Sequence, residues 1–569
     1  MRYCVLAVDY DGTIATHGLV SGDTIEALTK VRDSGRKLVL VTGRHLPDLK
    51  NIFSGLEVFH KVIVENGAVI YDPPTLEEKL LCEAPNQQLM DLLTKRKVQF
   101  NAGRCILATW EPNHLHVVEA IKELGLDLQV IFNKGAVMVL PSGLNKASGL
   151  AVALNDLRMS AHNTVAVGDA ENDHAFLTVS ACGVAVANAL PTLKERADFV
   201  TMESNGAGVR ELIDQLLADD LASLDSHITR RALTVGTPLT DGQADLRINP
   251  GRNSILVVGP SASGKSTAVS GIIEQLAEQK YQFCLVDPEG DYENFAGAIS
   301  MGTPKERPDP DAVMKTLETP IQNVVVNLLA VSVGDRPGFL QGLLPRLAEL
   351  RYQTGRPHWI ILDEAHHMLP PSWSPAATTL PPFGGMILIT VHPDRVSPAA
   401  LRSVDVVIAT GDSASESIAQ FARAIEVQPP AAEQASPDPG QALVWFRKQT
   451  TTMKFKVHLT KGERRRHRRS YAEGELSAEQ SFYFRGPESK LNLKAQNLMM
   501  FMQLAEGVDE DTWTYHLRRN DYSKWFREKI KDEKLAAATE AIENDHNITA
   551  PESRRRIAEA IRRFYTLAA

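Results

Sequence analysis

The chain has 569 residues, 43% of them hydrophobic and 23% charged, with a formal net charge of −9 at pH 7. One hydrophobic core does not grow to that size, so three or four domains are expected. No apolar run approaches the roughly 20 residues of a membrane span, and the acidic balance gives no global attraction to nucleic acid, which leaves only a local basic patch for that role.

Residues 1–10, MRYCVLAVDY, hold a short apolar run that leads into an acidic motif without a cleavage site, so they predict a buried strand rather than a signal peptide. The five cysteines (Cys4, Cys82, Cys105, Cys182, Cys284) are scattered and form no CxxC pair, which argues against a disulfide or zinc framework and for a cytoplasmic setting. From Met1 to about Leu217, short β-branched runs alternate with helical stretches, the pattern of a Rossmann-like parallel α/β sheet. Between about 85 and 140 the spacing breaks into a small α+β insert, read as a cap. Residues 218–250 are rich in turn formers and read as a linker with one strand at most. A second α/β unit is expected over 251–460, with strands SILVVG, FCLVD, NVVVNL, WIILDE and MILITV and a surface loop at 429–440. The basic cluster ERRRHRR (463–469) then opens a mainly helical region, 461–569, in which Tyr522, Trp525, Phe526 and Ile530 share one helical face. There, Trp513, Leu517, Trp525 and Phe526 are expected to form a core, while His516, Arg518 and Arg519 are candidates for an anion site.

Two constellations carry chemistry. Asp9 and Asp11 leave a strand tip two residues apart and on the same side, a geometry that suits a nucleophile and a proton donor. A carboxylate that attacks phosphorus forms an aspartyl-phosphate, and a second carboxylic acid protonates the leaving oxygen and then activates water. Thr42, in the TGR that ends the next strand, offers a hydroxyl and backbone N–H groups to a phosphoryl oxygen. Lys146 offers a compact positive charge. Asp169 and Asp173 follow a further apolar strand as hard oxygen ligands for Mg²⁺, which would offset the repulsion between carboxylate and phosphate.

The motifs DYDGT, TGR, NK and GDAEND, in that order over residues 1–215, resemble the haloacid dehalogenase superfamily. VENGAVIY resembles its capped branch of Cof-type sugar phosphatases and archaeal phosphoglycolate phosphatases. The resemblance implies Mg²⁺ held by Asp9, the backbone carbonyl of Asp11, and Asp169, with Asp173 in support, and a small phosphorylated substrate.

The second constellation is Gly259-Pro-Ser-Ala-Ser-Gly264-Lys265-Ser266-Thr267, between a strand and a helix. In that context backbone groups from Gly259 through Ser263 and Gly264 to Thr267 cradle the phosphates of ATP, Lys265 reaches the β and γ oxygens, and Ser266 ligates Mg²⁺. Asp363 and Glu364 end a buried strand about a hundred residues on, Asp363 to hold magnesium through water and Glu364 to polarise the attacking water. Residues 250–425 resemble HerA/FtsK-type P-loop ATPases, with His392 where that family commonly has glutamine. Such enzymes form rings completed by an arginine in trans, for which Arg395, Arg402 and Arg423 are candidates, so a homo-oligomeric ring or a dimer is expected. The leading expectation is a magnesium-dependent phosphomonoester hydrolase joined to a P-loop ATPase. The alternatives are a kinase–phosphatase fusion acting on a nucleic-acid end or sugar, and a ring-forming DNA motor or defence ATPase with an accessory phosphatase.

Overall fold

The computed structural model describes residues 1–239, 244–250, 253–260, 263–293, 295–373, 384–431, 436–458, 481–487, 490–530, 532–545 and 547–564. The basic cluster at 463–469 and P-loop positions 261 and 262 lie outside the described residues. The chain divides into two compact units, Met1–His458 and Leu459–Ala569.

In the first unit, β1 (Val5–Asp9), β2 (Lys37–Val41), β3 (Lys61–Val64), β4 (Val69–Asp72) and β5 (Glu77–Leu80) are followed by a cap sheet. That sheet is antiparallel and comprises β6 (Asn101–Ala102), β7 (Leu107–Trp110), β8 (Leu128–Asn133) and β9 (Ala136–Pro141). The chain then returns as β10 (Thr164–Gly168), β11 (Cys182–Ala185) and β12 (Phe199–Val200) to complete a sheet of order β12-β11-β10-β1-β2-β3-β4-β5. Strands β10, β1 and β2 are parallel neighbours and fully apolar in their buried centres, so the polar residues that follow each of them emerge along one edge.

A second sheet holds β13 (Leu233–Pro238), β14 (Leu246–Ile248), β15 (Ile255–Val258), β16 (Phe283–Asp287), β17 (Ala298–Met301), β18 (Asn323–Asn327), β19 (Trp359–Leu362), β20 (Met386–Thr390), β21 (Val406–Thr410), β22 (Gln441–Phe446) and β23 (Met453–Val457). Its order is β14-β13-β23-β22-β21-β15-β20-β19-β16-β18-β17, parallel from β17 to β21 and antiparallel beyond. Both β13 and β14 fall within 218–250, read from sequence as a linker. They are short, and their buried Leu233, Val235, Leu246 and Ile248 acquire meaning only against the helix Lys265–Glu278 and the sheet behind it.

The two sheets are joined at their rear. Asn163, which immediately precedes β10, accepts from His358 Nε2 at 3.1 Å, and His358 immediately precedes β19. His358 Nδ1 accepts the Gln282 N–H at 2.8 Å, while His162 Nε2 donates to the Gln279 carbonyl at 2.8 Å and its ring stacks on Tyr281 at 3.8 Å. Arg356 adds a bond to the Arg158 carbonyl at 3.0 Å. The Gln282 bond requires a neutral His358, since Nδ1 accepts there, whereas His162 donates in either state and is kept neutral by burial. Burial holds His162 down from 6.5 to about 3 and pushes His358 well below its ordinary value.

Because the folded values are depressed, this contribution to stability is whole above about pH 6.5 and drains away as pH falls toward 3, where the unfolded chain binds the protons. By that linkage His162 alone accounts for about 2 kcal/mol of lost stability at pH 5. Denaturant unfolding of wild type and His162→Gln at pH 7.5 and pH 5 should show a pH slope that is flatter in the variant. Equal slopes would refute the assignment.

The second unit packs β24 (Phe482–Phe484) and β25 (Leu493–Ala495) against the helices Leu498–Gly507, Glu510–Arg518, Asp521–Glu528, Glu533–Glu543 and Ala550–Phe564. Trp513, Leu517, Tyr522, Trp525, Phe526 and Ile530 are buried, as their shared face predicts. The anion reading of His516 fails here. His516 is buried, its Nε2 accepts the Arg485 N–H at 3.0 Å, and its Nδ1 meets Asp521 at 2.8 Å. Arg519 also turns to Asp521, and Arg518 to the Asp545 carbonyl. Among the described residues no helix is long and apolar enough to cross a membrane.

Candidate active sites

The first site lies where β1, β2 and β10 end. Asp9 is the last residue of β1, Thr42 follows β2, and Asp169 follows β10, so parallel register alone brings them together. Lys146, the first residue of the helix Lys146–Asp156, is buried and donates to Asp9 Oδ1 and Asp173 Oδ1, each at 2.6 Å. Burial by itself would lower the Lys146 pKa, but Asp173 and Asp9 overcome it and raise it. Asp173 Oδ2 accepts the backbone N–H groups of Asp169 and Ala170, which fixes the loop. Burial, followed by repulsion from Asp173, lifts Asp9 well above the usual carboxylate range; burial also raises Asp169.

Carboxylate oxygens of Asp9, Asp169 and Asp173 lie within 4.8 Å of one another, all three residues buried. A bound cation would relieve repulsion among buried acids at such separations, and three hard oxygen donors fit Mg²⁺. Gly12, at a φ of 79°, makes room for this. A Cβ there would stand 2.2 Å from Asp169 Oδ2.

Three residues near this site had no assigned role in the sequence reading. Thr13 is buried, and its hydroxyl bonds Asp9 Oδ2 at 3.0 Å and lies 3.3 Å from Asp169 Oδ1. The Arg44 fork grips both Asp11 oxygens at 2.6 Å. Lys134 reaches over from the cap to pair with Asp169. DYDGT and TGR contain the first two, but only the tertiary fold shows what they touch. Thr42 is buried, and its hydroxyl accepts the Arg44 N–H at 3.2 Å. Glu65 anchors the cap to the core by accepting the backbone N–H groups of Arg104, Cys105 and Ile106. Next to Gly43, Asn172 Nδ2 donates to Asn66 Oδ1 at 3.0 Å.

Residues 6–106 and 114–213 match the haloacid dehalogenase-like hydrolase family. Over 220 residues, 38% of this chain and 92% of the relative, it is 32% identical to phosphoglycolate phosphatase 2 of Saccharolobus solfataricus. The chain belongs to the haloacid dehalogenase-like hydrolases. It is also 30% identical over 218 residues to a phosphoglycolate phosphatase of Methanothermobacter thermautotrophicus, covering 37% of this chain and 98% of that one. A 5-amino-6-(5-phospho-D-ribitylamino)uracil phosphatase of Bacillus subtilis is 28% identical over 235 residues, 37% of this chain and 94% of the relative. As a haloacid dehalogenase-like hydrolase the chain is an enzyme, and it is a fusion: residues 233–336 match the central domain of helicase HerA.

The HerA-like part forms the second site. Gly259 follows β15, and Gly264, at a φ of 96°, precedes the helix Lys265–Glu278, which carries Ser266 and Thr267 in its first turn. Ser263 Oγ bonds Thr410 Oγ1 at 2.6 Å. Lys265 is folded back on the Gly259 and Pro260 carbonyls, each at 2.8 Å. Asp363 follows β19, and burial, then repulsion from Glu364, pushes it up to about 8. Glu364 is also raised, by burial and then by Glu289. A cavity of about 520 Å³ is lined by Glu289, Glu364, His366, His367, His392 and Arg395. Asp287, ending β16, accepts four backbone N–H groups, from Glu289 to Tyr292, which holds Glu289 in that wall. Of the arginines singled out, Arg395 lines this cavity within the same chain, whereas Arg402 and Arg423 pair with Glu426 and Glu416.

Proposed function

We propose that residues 1–217 hydrolyse small phosphomonoesters through an aspartyl-phosphate on Asp9, and that residues 251–460 hydrolyse ATP. The observation that carries the first activity is Lys146 held at 2.6 Å between Asp9 and Asp173. That contact presents the Asp9 carboxylate to phosphorus with its charge partly neutralised and its direction fixed. The P–O ester bond breaks as the Asp9 O–P bond forms, and Asp11 gives its proton to the leaving oxygen. Asp11 then takes a proton from water, which attacks the acyl phosphate, releases inorganic phosphate and restores Asp9. Arg44 must leave Asp11 for this, and the incoming phosphoryl oxygens offer the fork another bidentate partner.

Asp9, Asp169 and Asp173, with the Asp11 carbonyl, would hold Mg²⁺, whose charge offsets repulsion between the carboxylate and the phosphate. In the second site Ser266 and Asp363 would serve the nucleotide's magnesium, and Glu364 the attacking water. The family resemblance adds self-association through the ATPase part and a short phosphorylated acid such as phosphoglycolate as substrate. A panel of phosphomonoesters assayed with Mg²⁺ and then with excess EDTA tests the reading. Turnover of small esters that falls at least about 100-fold in EDTA is expected, and undiminished turnover would contradict it.

A further inference from the structure

After β3 the chain turns through Glu65 and Asn66, both in the left-handed region at φ of 52° and 55°. That conformation is costly for residues with a Cβ, and here it sets their groups against three parts of the molecule. The backbone N–H groups of Glu65 and Asn66 donate to the Arg44 carbonyl at 2.9 Å and the Thr42 carbonyl at 3.0 Å, so the turn backs the loop that follows β2. The Asn66 side chain accepts from Asn172, which lies between Asp169 and Asp173. The Glu65 carboxylate faces the cap. Its Oε1 accepts the Arg104 N–H at 2.8 Å, and its Oε2 accepts those of Cys105 at 2.8 Å and Ile106 at 3.2 Å. These residues belong to the loop between β6 and β7, which fits closely: a Cβ on Gly103 would stand 2.5 Å from the His45 ring and 2.6 Å from Glu65 Oε2. Glu65, Cys105 and Ile106 are buried, and N–H bonds to a carboxylate are stronger than neutral ones.

We propose that Glu65 is a positioning residue. By joining the cap loop to the turn behind Thr42 and Arg44, it makes the docked cap the support of the loop that receives the phosphoryl group, and so controls the release of Asp11 as the acid. This rests on the phosphatase reading above. The Arg44 fork holds both Asp11 oxygens at 2.6 Å and must pass to the phosphoryl oxygens before Asp11 can protonate the leaving oxygen. A fork of fixed geometry makes that exchange only from the right backbone position. With the cap loop released, the Glu65 side chain loses its three donors, the left-handed turn relaxes, and the Arg44 and Thr42 carbonyls lose the N–H groups that fix them. Arg44 then stays on Asp11, and the leaving oxygen departs without its proton.

The test compares p-nitrophenyl phosphate, whose leaving group departs without a proton, with the best alkyl phosphate of the panel above, whose leaving group needs one. In Glu65→Gln an amide NH₂ meets an N–H donor, and kcat/KM should fall by about 30-fold or more for the alkyl ester but by about fivefold or less for the aryl one. Gly103→Ala reaches the same contact from the cap, where the added Cβ displaces the loop and leaves Glu65 unchanged, and the same unequal loss is expected. A purely structural role would reduce turnover of both esters alike. Equal losses in both variants, or an unchanged alkyl rate in Glu65→Gln, would overturn the assignment and leave the phosphatase reading in place. So would a wild-type enzyme that turns over the aryl ester alone, since no acid would be at work in it. Turnover of neither ester with Mg²⁺ present would remove the phosphatase reading and this inference together.

Discussion

Asp9→Asn should reduce phosphomonoesterase turnover by at least about 10⁴-fold, because an amide does not attack phosphorus and Asp173, the other acid on Lys146, is held by the backbone N–H groups of Asp169 and Ala170. The same substitution should leave ATP hydrolysis near its wild-type rate, since Asp9 ends β1 of one sheet while Gly259, Lys265 and Asp363 belong to the other. Unfolding is not the expected cause of the loss. Asn fills the same space, keeps its one oxygen for Lys146 and turns its NH₂ to the Thr13 hydroxyl, which can accept, and its neutrality relieves repulsion among Asp9, Asp169 and Asp173. The thermal midpoint of the metal-free variant should therefore equal or exceed that of wild type. A large fall in the midpoint would make the activity loss uninformative about chemistry, and substantial turnover would remove Asp9 from the nucleophile's place.

Glu364→Gln is expected to bind ATP with near wild-type affinity and hydrolyse it at least about 100-fold more slowly, the range for loss of a group that prepares the attacking water. Lys265→Ala should behave differently and lose nucleotide affinity itself, by roughly tenfold or more, because a charge-assisted bond to ground-state phosphates is removed. In the structure Lys265 is occupied by the Gly259 and Pro260 carbonyls, so binding must draw it away from them. Titration with a fluorescent ATP analogue and a phosphate-release assay separate the two effects. Normal hydrolysis by Glu364→Gln, together with phosphate transfer to an added acceptor, would favour a kinase over an ATPase.

Residues at strand ends were legible in the sequence because their placement is local. A buried run fixes the strand, the parallel sheet aligns the ends, and Asp9, Thr42 and Asp169 then meet without further information. Lys146 and Asp173 followed from motif order. What the sequence did not disclose depends on reach across the fold. Thr13 and Arg44 were visible within motifs, but their partners Asp9, Asp169 and Asp11 appear only when loops close on one another. Lys134 sits in a cap hairpin whose sequence carries no motif, and only the docking of cap on core brings it to Asp169. The strands β13 and β14 escaped because one is short and the other ends in proline, and their apolar residues find a face only in the second sheet. His516, a candidate for an anion site by its place among arginines, is a buried brace, since Phe482, Phe484 and Tyr522 surround its ring.

The rear contact between the sheets joins Asn163 and His358, the residues just before the two strands that Asp169 and Asp363 follow. Both site-bearing edges thus grow from one buried, hydrogen-bonded seam. Protonating that seam is expected to loosen both at once, in the pH window given by His162.

The central claim is a covalent phosphoryl intermediate on Asp9, and borohydride trapping tests it most directly. Wild-type enzyme mixed with Mg²⁺ and a small phosphomonoester, quenched within one turnover and reduced, should carry homoserine in place of aspartate at position 9 when its peptides are sequenced by mass spectrometry. Homoserine at another carboxylate, or unmodified Asp9 in an enzyme that turns over under the same conditions, would contradict the account.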